Sequence, residues 1–401
     1  MSGRALSLQA YLATARKGAA TDMPALPPRP AGPLVWAYAT GKARGRAMAD
    51  LCARLDNQYP DVTLAISGDI PAQPDMLSLP VPPERLSMCS TFATDIAPDV
   101  VLWGGGELRP ALLFALSQAG TRLMALDIDA EAPQATSAAR WLPDPSAATL
   151  ALFDQIYATG EAAARRLRRM GLDSARIHAA TPLTESAMPL PCPEGLHDEL
   201  SGLLAGRPVW LAARLRGLEA RDVLAAHRQA IRLNHRLLLV IVPSDEDEAL
   251  RITRAAEASQ MRICNWDAGD TPDENTQVML TEGPETLGLW YRVAPLAFLG
   301  GSLLTGTGGE NPFEAAALGT AILYGPNVGK HLGSYSRLVE AGAARIVRDA
   351  DSLAAAVLQL VAPDQAAQMA HAGWDVITSG AELVDQVIAD VSDFLDKKDA
   401  S

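Results

Sequence analysis

Short apolar runs alternate with helix-length segments along most of this chain, and they do so in two separate series. The first opens with Leu34-Val35-Trp36-Ala37-Tyr38, followed by a loop containing Gly41 and a helical stretch from Arg46 to Asn57. Val62 to Ile66 and Asp99 to Trp103 read as its next strands. The latter runs into Gly104-Gly105-Gly106 and a helix from Pro110 to Gln118 with Gly120 as its stop; Leu123 to Leu126 then resumes a strand. Proline at the first helical position and glycine just past the last are the expected punctuation. A second series begins after Pro189-Leu190-Pro191-Cys192-Pro193. Val209 to Ala212, Leu237 to Val242, Gln277 to Leu280, Leu296 to Leu299 and Ala321 to Tyr324 read as strands, with a helix over Ala220 to Leu233. Apolar runs of this kind, alternating with helices, indicate βαβ units and parallel sheets. The chain is therefore expected to be α/β, with two Rossmann-like domains facing each other across a cleft. The boundaries fall at residues 1–33 for an N-terminal helix and proline-rich linker, 34–190 and 207–365 for the two domains, and 366–401 for C-terminal helices.

Composition agrees with two globular domains: 401 residues, 48% of them hydrophobic and 20% charged. A net charge of −13 argues against nucleic acid as a partner, because phosphate backbones are bound by a concentrated basic face. Four cysteines without a CxxC pair read as reduced thiols of a cytoplasmic protein. There is no signal-peptide pattern and no apolar run long enough to cross a bilayer. Leu8, Tyr11, Leu12 and Ala15 fall at helical spacing. That helix either docks on the protein, the favoured reading, or lies on a membrane surface.

The most informative stretch runs from Gly300 to Glu314. It follows the strand Leu296 to Leu299 and precedes the helix-forming Ala315-Ala316-Ala317-Leu318. Gly300, Gly301, Gly306, Gly308 and Gly309 permit positive φ and close backbone approach to a ligand. Asn311 suits a helix N-cap and Pro312 the first helical position. Free amides at such a start favour a phosphate. Glu314 either serves a ligand or turns back to the cap as half of a capping box. The acidic run Asp245-Glu246-Asp247-Glu248 reads as a solvated helix start rather than a metal site, since negative charge is favourable there.

At these residues the chain resembles the 3-deoxy-D-manno-octulosonic acid (Kdo) transferases. The resemblance lies in Gly300-Gly301-Ser302, Gly308-Gly309, Asn311-Pro312-Phe313-Glu314 and Ala315-Ala316, with Leu287-Gly288-Leu289-Trp290-Tyr291-Arg292 before and Gly325-Pro326-Asn327 after. It is close over residues 282–347 and thinner from Leu34 onward. It implies a GT-B fold and an inverting transfer of Kdo from CMP-Kdo to a lipid A precursor in lipopolysaccharide synthesis. It further implies no cofactor, no metal and peripheral work at the inner membrane. Ser302, Gly308, Gly309, Asn311 and Glu314 would bind the donor.

The N-terminal half departs from the family. Its glutamate after the first strand, the expected general base, is replaced by Lys42 in Ala39-Thr40-Gly41-Lys42. Of the family's Glu-Thr-Glu-Leu-Trp-Pro only the second glutamate survives, as Glu107, which becomes the candidate base unless it caps the helix begun at Pro110. Pro243-Ser244-Asp245 stands for Pro-Arg-His, while Arg214 and Arg216 replace a serine and a histidine. Lys42, Arg44 and Arg46 form a basic group at a helix start, where positive charge is unfavourable, so acceptor or anion binding is expected of Arg44 and Arg46. The alternative to an active transferase is a non-catalytic or altered-specificity GT-B paralogue that binds a nucleotide sugar.

Overall fold

The computed structural model describes residues 3–15, 23–129, 144–185, 187, 189–204, 206–281 and 283–399. The chain divides into two compact units, residues 1–186 with 379–401, and residues 187–378.

The first unit is built on seven strands: β1 (Leu34–Ala39), β2 (Thr63–Gly68), β3 (Leu77–Ser78), β4 (Val100–Gly104), β5 (Arg122–Ile128), β6 (Gln155–Thr159) and β7 (Ile177–Ala180). They form one parallel sheet in the order β3-β2-β1-β4-β5-β6-β7. Its helices are α1 (Gly3–Ala15), α2 (Lys42–Gln58), α3 (Leu86–Asp95), α4 (Pro110–Gln118), α5 (Ser146–Leu150) and α6 (Gly160–Arg169). Every residue of β1 is buried because both faces of the sheet are covered. Trp36, Phe92, Trp103 and Leu112 fill one face. Val35, Ala37, Met48 and Leu51 fill the other.

Helix α1 takes the docked alternative. Leu8, Tyr11, Leu12 and Ala15 are only 7, 5, 6 and 7% exposed within the first face. The apolar stripe that would have met a membrane surface is therefore used inside the protein.

The second unit repeats the plan with β8 (Val209–Leu215), β9 (Leu238–Pro243), β10 (Ile263–Asn265), β11 (Val278–Leu280), β12 (Leu296–Leu299), β13 (Ala321–Tyr324) and β14 (Ala344–Ile346). These make a parallel sheet in the order β10-β11-β9-β8-β12-β13-β14. Its helices are α7 (Glu194–Leu203), α8 (Gly217–Ile231), α9 (Glu246–Ala258), α10 (Leu287–Val293), α11 (Phe313–Ala316), α12 (Leu332–Glu340), α13 (Ala350–Leu360) and α14 (Pro363–Thr378). Trp290 and Phe313 pack on one face, Trp210 and Phe298 on the other.

The last helix, α15 (Ala381–Asp399), belongs to the first unit. Leu383, Val384, Val387, Ile388 and Val391 pack into the face that holds Met48 and Leu51. Full burial of such side chains is worth about 1.5–3 kcal/mol each before ordering costs. Polar ties add to it: the Tyr157 hydroxyl donates to Asp390, and Lys398 pairs with Asp99.

Cys52, Cys89 and Cys264 are buried and free. Burial pushes the first two thiols up to about 12 and the third to about 11, so all three are inert as nucleophiles. Among the described residues, no helix is long and apolar enough to cross a membrane.

Candidate functional site

Each sheet has a point where the strand order reverses: between β1 and β4 in the first unit, and between β8 and β12 in the second. Loops leaving the carboxyl ends of two such strands diverge, and the crevice between them is where open α/β sheets hold ligands. Nearly all the residues singled out from sequence fall at one or other of these points.

In the second unit, β12 is followed by Gly300, where a Cβ would lie 2.5 Å from Arg214 O and 2.7 Å from Leu215 Cα. Only glycine lets the two strand ends approach so closely. Ser302 is completely buried. Its hydroxyl donates to Leu299 O at 2.5 Å and accepts the Gly325 N–H at 2.8 Å. That bond set pins the ends of β12 and β13 together. The one hydrogen of Ser302, expected to bind the donor, is in this arrangement committed to a carbonyl.

The amides that follow are also committed. Gly301, Ser302 and Leu303 donate their N–H groups to the carboxylate of Glu219 at 2.7, 3.0 and 2.7 Å. Glu219 is 1% exposed at the first turn of α8, and its own cap amide, Arg216 N–H, reaches back to it at 3.5 Å. The expectation that the loop aims all its free amides at a ligand is thus corrected for its first arm.

The second arm is held in part by the first, since Gly309 N–H donates to Gly301 O at 2.9 Å. Gly308 and Gly309 sit at φ 86° and 79°, a region costly for other residues. A Cβ on Gly309 would come within 3.0 Å of Val328 Cγ1. Asn311 Oδ1 accepts the Phe313 N–H at 3.0 Å and so behaves as the expected cap. Glu314 does not turn back to complete a capping box. Its carboxylate pairs with Arg214 at 3.0 Å, and Arg214 itself is held at φ 49° where the pairing of β8 with β9 shifts register. Arg216 bridges Glu310 at 3.4 Å and Asp245 at 3.2 Å. The basic groups that replace the family's serine and histidine therefore meet the acidic groups of the loop. Asp245 also caps α9 by accepting the Glu248 N–H at 2.9 Å, and that amide together with the neighbouring Ser244 hydroxyl and Arg216 guanidinium holds its carboxyl below the usual range. The acidic run is a helix start, as expected. A cavity of about 420 Å³ in the same unit, lined by Leu250, Thr253, Asn265 and Thr281, has none of the loop residues in its wall.

In the first unit, Lys42 is exposed at the first residue of α2. Arg44 pairs through Nε with Asp127 at 2.7 Å and donates to Thr40 O at 3.1 Å, while Arg46 lies 3.9 Å from Glu185. Each of the two arginines expected to bind an anion therefore faces a carboxylate in this arrangement. Glu107 is exposed at the end of β4, and its carbonyl accepts the Trp103 indole N–H at 3.3 Å. The α4 amides are capped by a different residue. Ala111 N–H donates to Glu84 Oε1 at 2.5 Å, and Arg109 braces Glu84 from the other side at 3.3 Å. Burial pushes the Glu84 carboxyl up, against the pull of Arg109 and the α4 amides.

No protein-family model matches the chain. A 3-deoxy-D-manno-octulosonic acid transferase of Haemophilus influenzae is 26% identical over 193 residues, which are 48% of this chain and 45% of that protein. The transferase of the same name from Bordetella pertussis is 27% identical over 285 residues, 69% of this chain and 65% of that protein. Over these stretches the chain is similar to the Kdo transferases. It spans about half the length of the first Kdo transferase and under two thirds of the second. The crystal structure of the C-terminal CMP-Kdo binding domain of WaaA from Acinetobacter baumannii is 22% identical with a TM-score of 0.44, covering 46% of this chain and 96% of that domain.

Sequence alone does not single out Glu84, Asp127 or Glu219. Glu219 carried a signal of its own, a glutamate three residues into a helix, but that signal points to local capping. Its main partners lie 82 to 84 residues further along the chain.

Proposed function

We propose that this chain is a glycosyltransferase that moves Kdo from CMP-Kdo to a lipid A precursor, with inversion and without a metal ion, at the cytoplasmic face of the inner membrane. The observation that carries this reading is the composition of the second sheet's switch point. There the glycine arm, the Asn311 cap and the Arg214–Glu314 pair stand together beyond β8 and β12. Glu314 would take the nucleoside's ribose hydroxyls, since its Arg214 partner fixes one carboxylate oxygen and leaves the other to accept. Gly308, Gly309 and Asn311 would line the donor. Departure of CMP leaves negative charge on the phosphate, and nearby N–H donors and cations stabilise it.

The acceptor hydroxyl must lose a proton. Glu107, exposed at the first sheet's own switch point, is the carboxylate we assign to that task. A transfer assay with CMP-Kdo and a lipid A precursor tests the reading. We expect turnover by the wild type and a fall in kcat of about 10²- to 10⁴-fold in Glu107→Ala. Turnover unchanged in that variant removes Glu107 from the mechanism.

A second reading is favoured by Lys42, an exposed amine where the family places its base. On that reading the chain is a non-catalytic or altered-specificity paralogue that binds a nucleotide sugar. Binding of CMP-Kdo with no transfer in the same assay supports it.

A further inference from the structure

A donor bound in the second unit brings a phosphate and a carboxylate, and most of the site's positive groups are already matched. Glu219 fills the first three amides of the loop. Arg214 faces Glu314, and Arg216 faces both Glu310 and Asp245. One cation at this switch point stands apart. Lys330 is exposed and has no ion-pair partner among the described residues.

Its placement is not that of a loose surface lysine. The Lys330 N–H donates to Gly308 O at 3.1 Å. Its Cγ, Cδ and Cε lie 2.7, 3.2 and 3.3 Å from where a Cβ on Gly308 would stand. The aliphatic stem is thus laid against Gly308, and any side chain at position 308 would push it off. The segment that carries Lys330 is tied to the same loop from its other end. Asn327 N–H donates to Ser302 O at 2.9 Å, and Asn327 Nδ2 donates to Leu303 O at 3.1 Å. A lysine ammonium is a compact point charge that serves phosphate without demanding a planar partner.

We propose that Lys330 is the residue that takes the anionic phosphate of the donor, beside Gly308 of the loop whose first arm Glu219 has closed. The inference rests on the donor reading above, and its test separates the two. Wild type, Lys330→Met and Lys330→Arg are titrated calorimetrically with CMP and with cytidine, which lacks the phosphate. We expect Lys330→Met to weaken CMP at least about tenfold, as for one charge-assisted hydrogen bond, to leave cytidine unchanged, and Lys330→Arg to restore part of the loss. CMP bound as tightly by Lys330→Met as by the wild type overturns the assignment of the lysine alone. So does an equal loss for both titrants, which marks a merely structural role. A wild type that binds neither compound overturns the donor reading and the lysine with it.

Discussion

Three backbone amides converge on the Glu219 carboxylate, and the geometry leaves it no substitute. A buried donor left without an acceptor costs about 1–3 kcal/mol. Glu219→Ala orphans three, so we expect a loss of at least about 3 kcal/mol in the unfolding of the second unit, read by urea denaturation. Glu219→Gln, whose amide oxygen still accepts, should lose less. A loss below about 1 kcal/mol in the alanine variant contradicts the role drawn for it. The contrast with Asn311 shows which residues can be read in a sequence. Asn311 caps Phe313 two positions away, so local spacing is enough to assign it. Glu219, Glu84 and Asp127 act on segments far along the chain, and nothing in their own neighbourhood names those partners. Arg44 shows the same limit in reverse: an apparent excess of positive charge is answered by Asp127, 83 residues on.

At the scale of elements, strands buried on both faces are legible because they are unbroken apolar runs. Leu296–Leu299 and Ala321–Tyr324 match their observed bounds, and Pro110–Gln118 is bracketed by its proline and by Gly120 at φ 84°. Strands at the sheet margins are not: β3, β7, β10 and β14 are two to four residues long and partly exposed. Too few apolar positions remain in them to carry a period. The C-terminal tail reads as helical, but periodicity cannot say which domain a helix covers. Helix α15 covers the first, although it follows the second in sequence. Ile388 is 5% exposed within that contact. Ile388→Ala should therefore destabilise the first unit by about 2–5 kcal/mol and leave the second unit's unfolding unmoved. Hydrogen exchange resolved by segment would show it; equal loosening of β8 and β12 would contradict the assignment of α15.

At the scale of the whole molecule, one plan is used twice: a parallel sheet, helices on both faces, and candidate site residues where the strand order reverses. The first sheet presents Lys42 and Glu107 there. The second presents the glycine arm, Glu314 and Lys330. The two series of alternating strands and helices make this duplication legible in the sequence, and the rule for ligand position in open sheets directs attention to the loops at the two reversals. Which groups in those loops stay free is not legible, because it depends on pairings across the sheet. We propose that the second switch point holds an activated sugar's nucleotide. A crystal structure of the protein with CMP tests it most directly. We predict the phosphate on the Gly308–Asn311 arm, within hydrogen-bonding distance of Lys330 Nζ, with Glu219 still holding Gly301, Ser302 and Leu303. Nucleotide bound elsewhere on the chain, or seated on those three amides with Glu219 displaced, would contradict it.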